Sequence, residues 1–131
     1  NQLDIERSST FNDFAQKYES KEQKLIEKDE AFEKKCEFST QYLTSESQKC
    51  IDYDNFAVLS ETEIINKWDE LEVALNEEKL TREQVDKIER IGLSIIDTLD
   101  DVTINLISMN DSLTLEIETS KNYLDEQNRF A

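Results

Sequence analysis

A chain of 131 residues with no proline and a single glycine, Gly92, has very few ways to turn its backbone. Tight hairpins and loop-rich folds draw on glycine for positive φ and on proline for a fixed φ. A chain that forgoes both reads as a few long helices joined by short connections. Apolar residues make up 37% and charged residues 35%, the balance of a slim bundle in which each helix buries one stripe. Six phenylalanines, four tyrosines and a tryptophan set it apart from acidic disordered segments. At this length it is one domain.

Heptad spacing divides the chain into three helices. Phe11, Tyr18, Leu25 and Phe32 stand seven apart, with Phe14, Cys36 and Leu43 on the neighbouring seam, which predicts a first helix over residues 3–43. The segment "TSES" interrupts it, and Ser45 with Gln48 has the spacing of a capping box. Cys50, Ala57, Ile64 and Leu71, joined by Trp68 and Leu75, predict a second helix over 46–77, with Ser60 as a candidate kink. Thr81 with Gln84 forms another candidate capping box, opening a third helix over 82–129. Its seam of Val85, Ile88, Gly92, Ile95, Leu99, Val102, Leu106, Met109 and Leu113 alternates steps of three and four, and "MNDS" at 109–112 is its soft point. The expected fold is all-α: an elongated, antiparallel three-helix bundle with coiled-coil-like packing and a long C-terminal helix. It is similar to spectrin-type repeats in architecture alone, without a shared motif.

Cys36 precedes Leu43 by seven residues and Cys50 follows it by seven. A reversal near 43–46 sets the two thiols opposite each other and pairs Tyr18 with Trp68 and Phe11 with Leu75. A straight helix would hold the thiols roughly 21 Å apart, beyond the roughly 7 Å limit for a bridge. A Cys36–Cys50 disulfide is therefore the favoured expectation, and two reduced, buried thiols are the alternative. Oxidation favours a secreted or extracellular setting and reduction a cytoplasmic one. Asn1, standing where a methionine would begin a chain, is the start expected of a processed protein. No run of apolar residues reaches the roughly 18 needed for a membrane span.

The formal net charge of −16 opposes nucleic acid and anionic lipid surfaces as partners. There is no histidine, so neither a Ser-His-Asp nor a Cys-His arrangement can be built, and one glycine makes no phosphate loop. Neither catalytic residues, nor a metal site, nor a cofactor is expected. Asp52, Asp54, Ser60 and Glu63 occupy calcium-loop positions, but Phe56 and Ala57 fall where a ligand and the turn glycine belong. "NDS" at 110–112 matches a glycosylation sequon at the frequency chance allows. Phe11, Phe14, Tyr18, Phe32, Tyr53, Phe56 and Trp68 read as core, with a pocket for a small apolar ligand as the alternative.

The third helix outruns the second. Pairing back from residue 81, it draws level with the first connection near residue 112, leaving roughly 18 residues without an intrachain partner. Leu113, Leu115, Ile117, Tyr123, Leu124 and Phe130 are therefore the expected partner-binding residues, serving a protein partner or self-association. A fold-back at Asn110–Asp111 into a fourth helix is the alternative. The functional expectation is a non-enzymatic protein-interaction or scaffold module. The competing reading is a secreted or surface-exposed effector, antigen or carrier of an apolar ligand, stabilised by Cys36–Cys50.

Overall fold

The computed structural model describes residues 1–130 as three helices: α1 (Gln2–Ser39), α2 (Gln48–Leu75) and α3 (Arg82–Phe130). They account for 88% of the chain, and no strand is present among the described residues. The bundle runs up, down and up, so α1 and α3 are parallel and α2 opposes both. Circular dichroism is accordingly expected to report a helix content above about 75%.

The helix ends follow local capping chemistry. Asn1 caps α1 with a full capping box, its side chain accepting from the Leu3 and Asp4 N–H groups while Asp4 reaches back. α1 stops at Ser39 rather than running to 43. The Ser39 and Thr40 hydroxyls take the Cys36 and Glu37 carbonyls, and the next amides close tight turns. Ser47, not Ser45, caps α2: its hydroxyl accepts from the Lys49 N–H and donates to Glu116 on α3. At α3, Thr81 accepts from the Gln84 N–H, but the Gln84 side-chain oxygen is buried without a partner, so only half of the capping box forms. α2 runs unbroken past Ser60, and the calcium-like stretch 52–63 is helix, not loop.

α3 is the spine, packing along both other helices. Its single glycine sits under an α1 side chain: a Cβ at Gly92 would lie 3.0 Å from the Phe14 ring. Gly92→Leu tests this approach. Leucine is the better helix former by close to 1 kcal/mol, so any loss comes from forcing α1 away. Overpacking of this kind costs about 1–3 kcal/mol, and thermal melting is expected to fall by several degrees.

The core divides into two clusters. The upper gathers Phe14, Leu71, Ala74, Ile88, Ile91, Ile95 and Ile96; the lower gathers Phe32, Cys50, Tyr53, Val102, Leu106, Leu113 and Ile117. Each buries one stretch of the stripes identified in the sequence, the hydrophobic effect supplying the main stabilising term.

The level that α3 reaches differs from the sequence expectation. Lys21 pairs with Asp100 at 2.9 Å, and the Lys35 ammonium donates to Thr114 at 2.6 Å, fixing one offset along α1 and α3. Arg82 meets Glu6 near the start of α1. α1 has 38 residues against 28 in α2, so its first turns extend beyond the end of α2. Residues 76–81 run on to that level before α3 begins. α3 therefore travels the length of α1, not of α2, before meeting the 40–47 connection, where Ser120 donates to the Tyr42 carbonyl. There is no break at 109–112 and, among the described residues, no fourth helix.

Candidate functional site

The predicted partner-binding residues fall into two groups. Leu113 and Ile117 are buried in the lower cluster, which corrects their assignment as free contact surface: α3 is still alongside α1 at that height. Leu115, Tyr123 and Leu124 are exposed, and every residue from 121 to 129 is exposed beyond the connection. The Phe130 side chain lies outside the described residues. Removing residues 121–131 is expected to leave the melting temperature within about 2 °C of the full chain, since residues 121–129 are all exposed. A larger fall in a thermal scan would place this end of α3 in the fold.

Cys36 and Cys50 form the disulfide, with Cα atoms 6.1 Å apart. It is one of several cross-ties between α1 and α2. Another is Phe32 edge-on to Tyr53, with ring centroids 5.2 Å apart. A further one is Trp68 against Tyr18 at 5.1 Å and Phe14 at 5.3 Å. The pairing of Trp68 with Tyr18 on α1 matches the sequence reading, but the indole, read there as core, is only half-buried at the edge of the upper cluster.

Its open face looks onto a cleft. Between the Trp68 and Tyr53 ties, the inward positions of α2 are Ala57, Ser60 and Ile64, and two of these are too small to reach α1. The helices stay apart there, leaving a space of about 410 Å³. Leu99 and Val102 of α3 form the floor, Leu25 and Ile26 the α1 wall, and Ile64 and Ile65 the α2 wall. Volume and lining lie in the range of small-molecule sites, which are mostly apolar with a few placed polar groups. Of the seven aromatics set aside in the sequence, Tyr18, Tyr53 and Trp68 line this cleft, whereas Phe11, Phe14, Phe32 and Phe56 pack in the clusters.

The polar groups are few and acidic. Glu22, Asp29 and Glu61 line the cleft, and no lysine or arginine does. The Tyr53 hydroxyl donates to Asp29 Oδ1 at 2.6 Å. Burial, then this bond to a carboxylate, pushes the Tyr53 phenol well above the ordinary tyrosine range. Tyr18 is also raised, first by burial and then by Glu22. Outside the cleft mouth, Glu33 is held above the usual carboxylate range, chiefly by the charge of Asp29. The mouth is thus a region of negative potential.

The raised Tyr53 sets a sign for alkaline stability. Above the unfolded value of about 10, the unfolded chain loses the phenolic proton while the folded chain keeps it, so stability falls as pH rises. Absorbance titration of the tyrosines is expected to show Tyr53 ionising only with unfolding. A normal ionisation in the intact fold would overturn the Asp29 bond.

Among the described residues no three carboxylate or thiolate side chains gather as metal ligands, and no helix is long and apolar enough to cross a membrane. Comparison of the chain with protein-family models, curated proteins and solved structures finds no match.

Proposed function

We propose that the protein is a non-enzymatic, disulfide-stapled helical binding module whose ligand site is the apolar cleft between α1 and α2. One observation carries this reading. Helical interiors pack to near-crystalline density, yet here Ala57 and Ser60 leave about 410 Å³ open between two closed clusters. A largely apolar cleft of this kind forfeits contacts that larger side chains would regain. The chemistry of the lining supports binding over catalysis. The chain has no histidine, and the cleft phenols are pushed away from neutrality, opposite to what a general acid or base at pH 7 needs. The disulfide supports an oxidising, extracellular-type compartment.

Trp68 is the sole tryptophan and lines the cleft, so it reports occupancy directly. Nile red, a neutral apolar dye, is expected to bind with micromolar affinity and to change Trp68 emission. Ala57→Phe, which fills the space from the α2 side, is expected to abolish that binding while keeping or raising the melting temperature. A filled variant that binds the dye as the parent does would remove the cleft as the site.

A second reading rests on the exposed end of α3. Leu115, Tyr123 and Leu124 lie beyond or beside the connection, uncovered by the chain itself, and support a protein contact there. Loss of a partner on removing residues 121–131, with dye binding intact, would separate this surface from the cleft.

A further inference from the structure

We propose that the ligand of this cleft is a cationic amphiphile: an apolar chain lying on the Leu99–Val102 floor, with a protonated amine at the mouth among Glu22, Asp29 and Glu61. The inference rests on the cleft being the ligand site and adds the chemistry of what enters it. Three observations converge. The lining contains three carboxylates and no basic side chain. An anionic head group, such as that of a fatty acid, would sit beside like charges with no cation to offset them, whereas an ammonium gains charge-assisted hydrogen bonds. Asp29 is fixed in place by the Tyr53 hydroxyl on Oδ1, leaving Oδ2 without a protein donor and available to a ligand N–H. Finally, the end walls are aromatic. Trp68 and Tyr18 meet edge to face at the end away from Asp29, where the apolar tail packs against them, and Tyr53 stands at the Asp29 end beside the ammonium.

The dimensions favour a single chain over a helical segment. Tyr18 and Asp29 mark the ends of the cleft on α1, about 16 Å apart along the helix. A helical segment, about 10 Å across, would need more room over that length than the roughly 410 Å³ the cleft offers. The charge also argues against a second copy of this chain as occupant, because each copy carries −16.

The test uses three ligands with one tail: dodecylamine, dodecanol and dodecanoate, each below its aggregation limit at pH 7 and followed by Trp68 emission. Dodecylamine is expected to bind about tenfold or more tighter than dodecanol, with dodecanoate the weakest. In the triple variant Glu22→Gln, Asp29→Asn, Glu61→Gln, the amine is expected to fall to the affinity of dodecanol while dodecanol itself is unchanged. Equal or tighter binding of the alcohol or the acid by the parent overturns the charge assignment and leaves the cleft standing. An amine preference that survives in the triple variant assigns it to the diffuse charge of the chain, and overturns the proposal. If no ligand binds, with Nile red also silent, the cleft itself is not a site. Sedimentation of the ligand-free protein covers the remaining occupant: a dimer dispersed by Ile65→Glu would put a second copy in the cleft and overturn the proposal.

Discussion

Phe32→Ala is expected to cost about 3–5 kcal/mol, the range for removing a fully buried aromatic ring from a core. The ring is 1% exposed and forms one of the aromatic ties between α1 and α2. Its loss leaves Tyr53 without its edge-on partner and opens a cavity beside Leu106 and Cys50 in the lower cluster. Collapse into that cavity is resisted on one side by the disulfide and on the other by the α3 spine, so little of the cost is recovered by relaxation. For a domain of this size, the melting temperature is expected to fall by about 10 °C or more. Phe38→Ala supplies the control six residues further along. Phe38 is 46% exposed and touches only the Tyr42 ring among the aromatics, and its removal is expected to cost under about 1 kcal/mol. If the two variants melt together, the division between buried lower cluster and exposed helix end is wrong.

Much of this architecture was legible because heptad seams state directly which residues face inward. Leu43, lying seven residues from each cysteine, located the reversal and with it the pairings of Cys36 with Cys50 and Tyr18 with Trp68. The register between α1 and α2 followed from one local constraint. The level of α3 did not, because it depends on a non-local quantity, the ten-residue difference in length between α1 and α2. Measuring α3 against α2 assigned Leu113 and Ile117 to a free end, whereas measuring it against α1 places them in the core. The choice of Ser47 over Ser45 as cap was hidden for a similar reason: Glu116, which its hydroxyl meets, is 69 residues away.

The cleft was harder to read because its cause is a missing volume. In the sequence Ala57 stands on the α2 seam and Ser60 is a candidate kink, each unremarkable alone. Only with α1 in register do the two small residues face Leu25 and the Glu22–Asp29 segment together. Small residues at adjacent inward positions, opposite carboxylates, were the available signal. Carboxylates are too frequent in a chain with 31 of them for that signal to stand out before folding.

Reduction of Cys36–Cys50 is expected to cost about 3 kcal/mol, the chain-entropy value for closing a loop of about 15 residues; the cysteines are 14 apart in sequence. The mechanism acts on the unfolded chain, which the bridge prevents from separating residues 36 and 50. The folded state changes less. Cys36 and Cys50 pack with the lower cluster, and the connection between them stays anchored to α3 through Ser47 with Glu116 and Ser120 with Tyr42. Cys50 is 3% exposed and Cys36 partly buried, so reductant approaches the bridge from the Cys36 side and opening of the fold speeds it: reduction is expected to be slower at low temperature than near melting. The double variant Cys36→Ala, Cys50→Ala avoids that kinetic barrier and is expected to melt about 10 °C below the parent. Trp68 then separates local from global effects. It lies opposite Tyr18, about 27 Å along α1 from Cys36, so its emission below the melting transition is expected to match the parent. A folded-state change at Trp68 would mean that the bridge sets the spacing of the whole α1–α2 cleft. A melting temperature within a degree or two of the parent would show that the bridge restricts little in the unfolded chain. In that case the packing of α1 and α2 on α3 alone determines the reversal at 40–47.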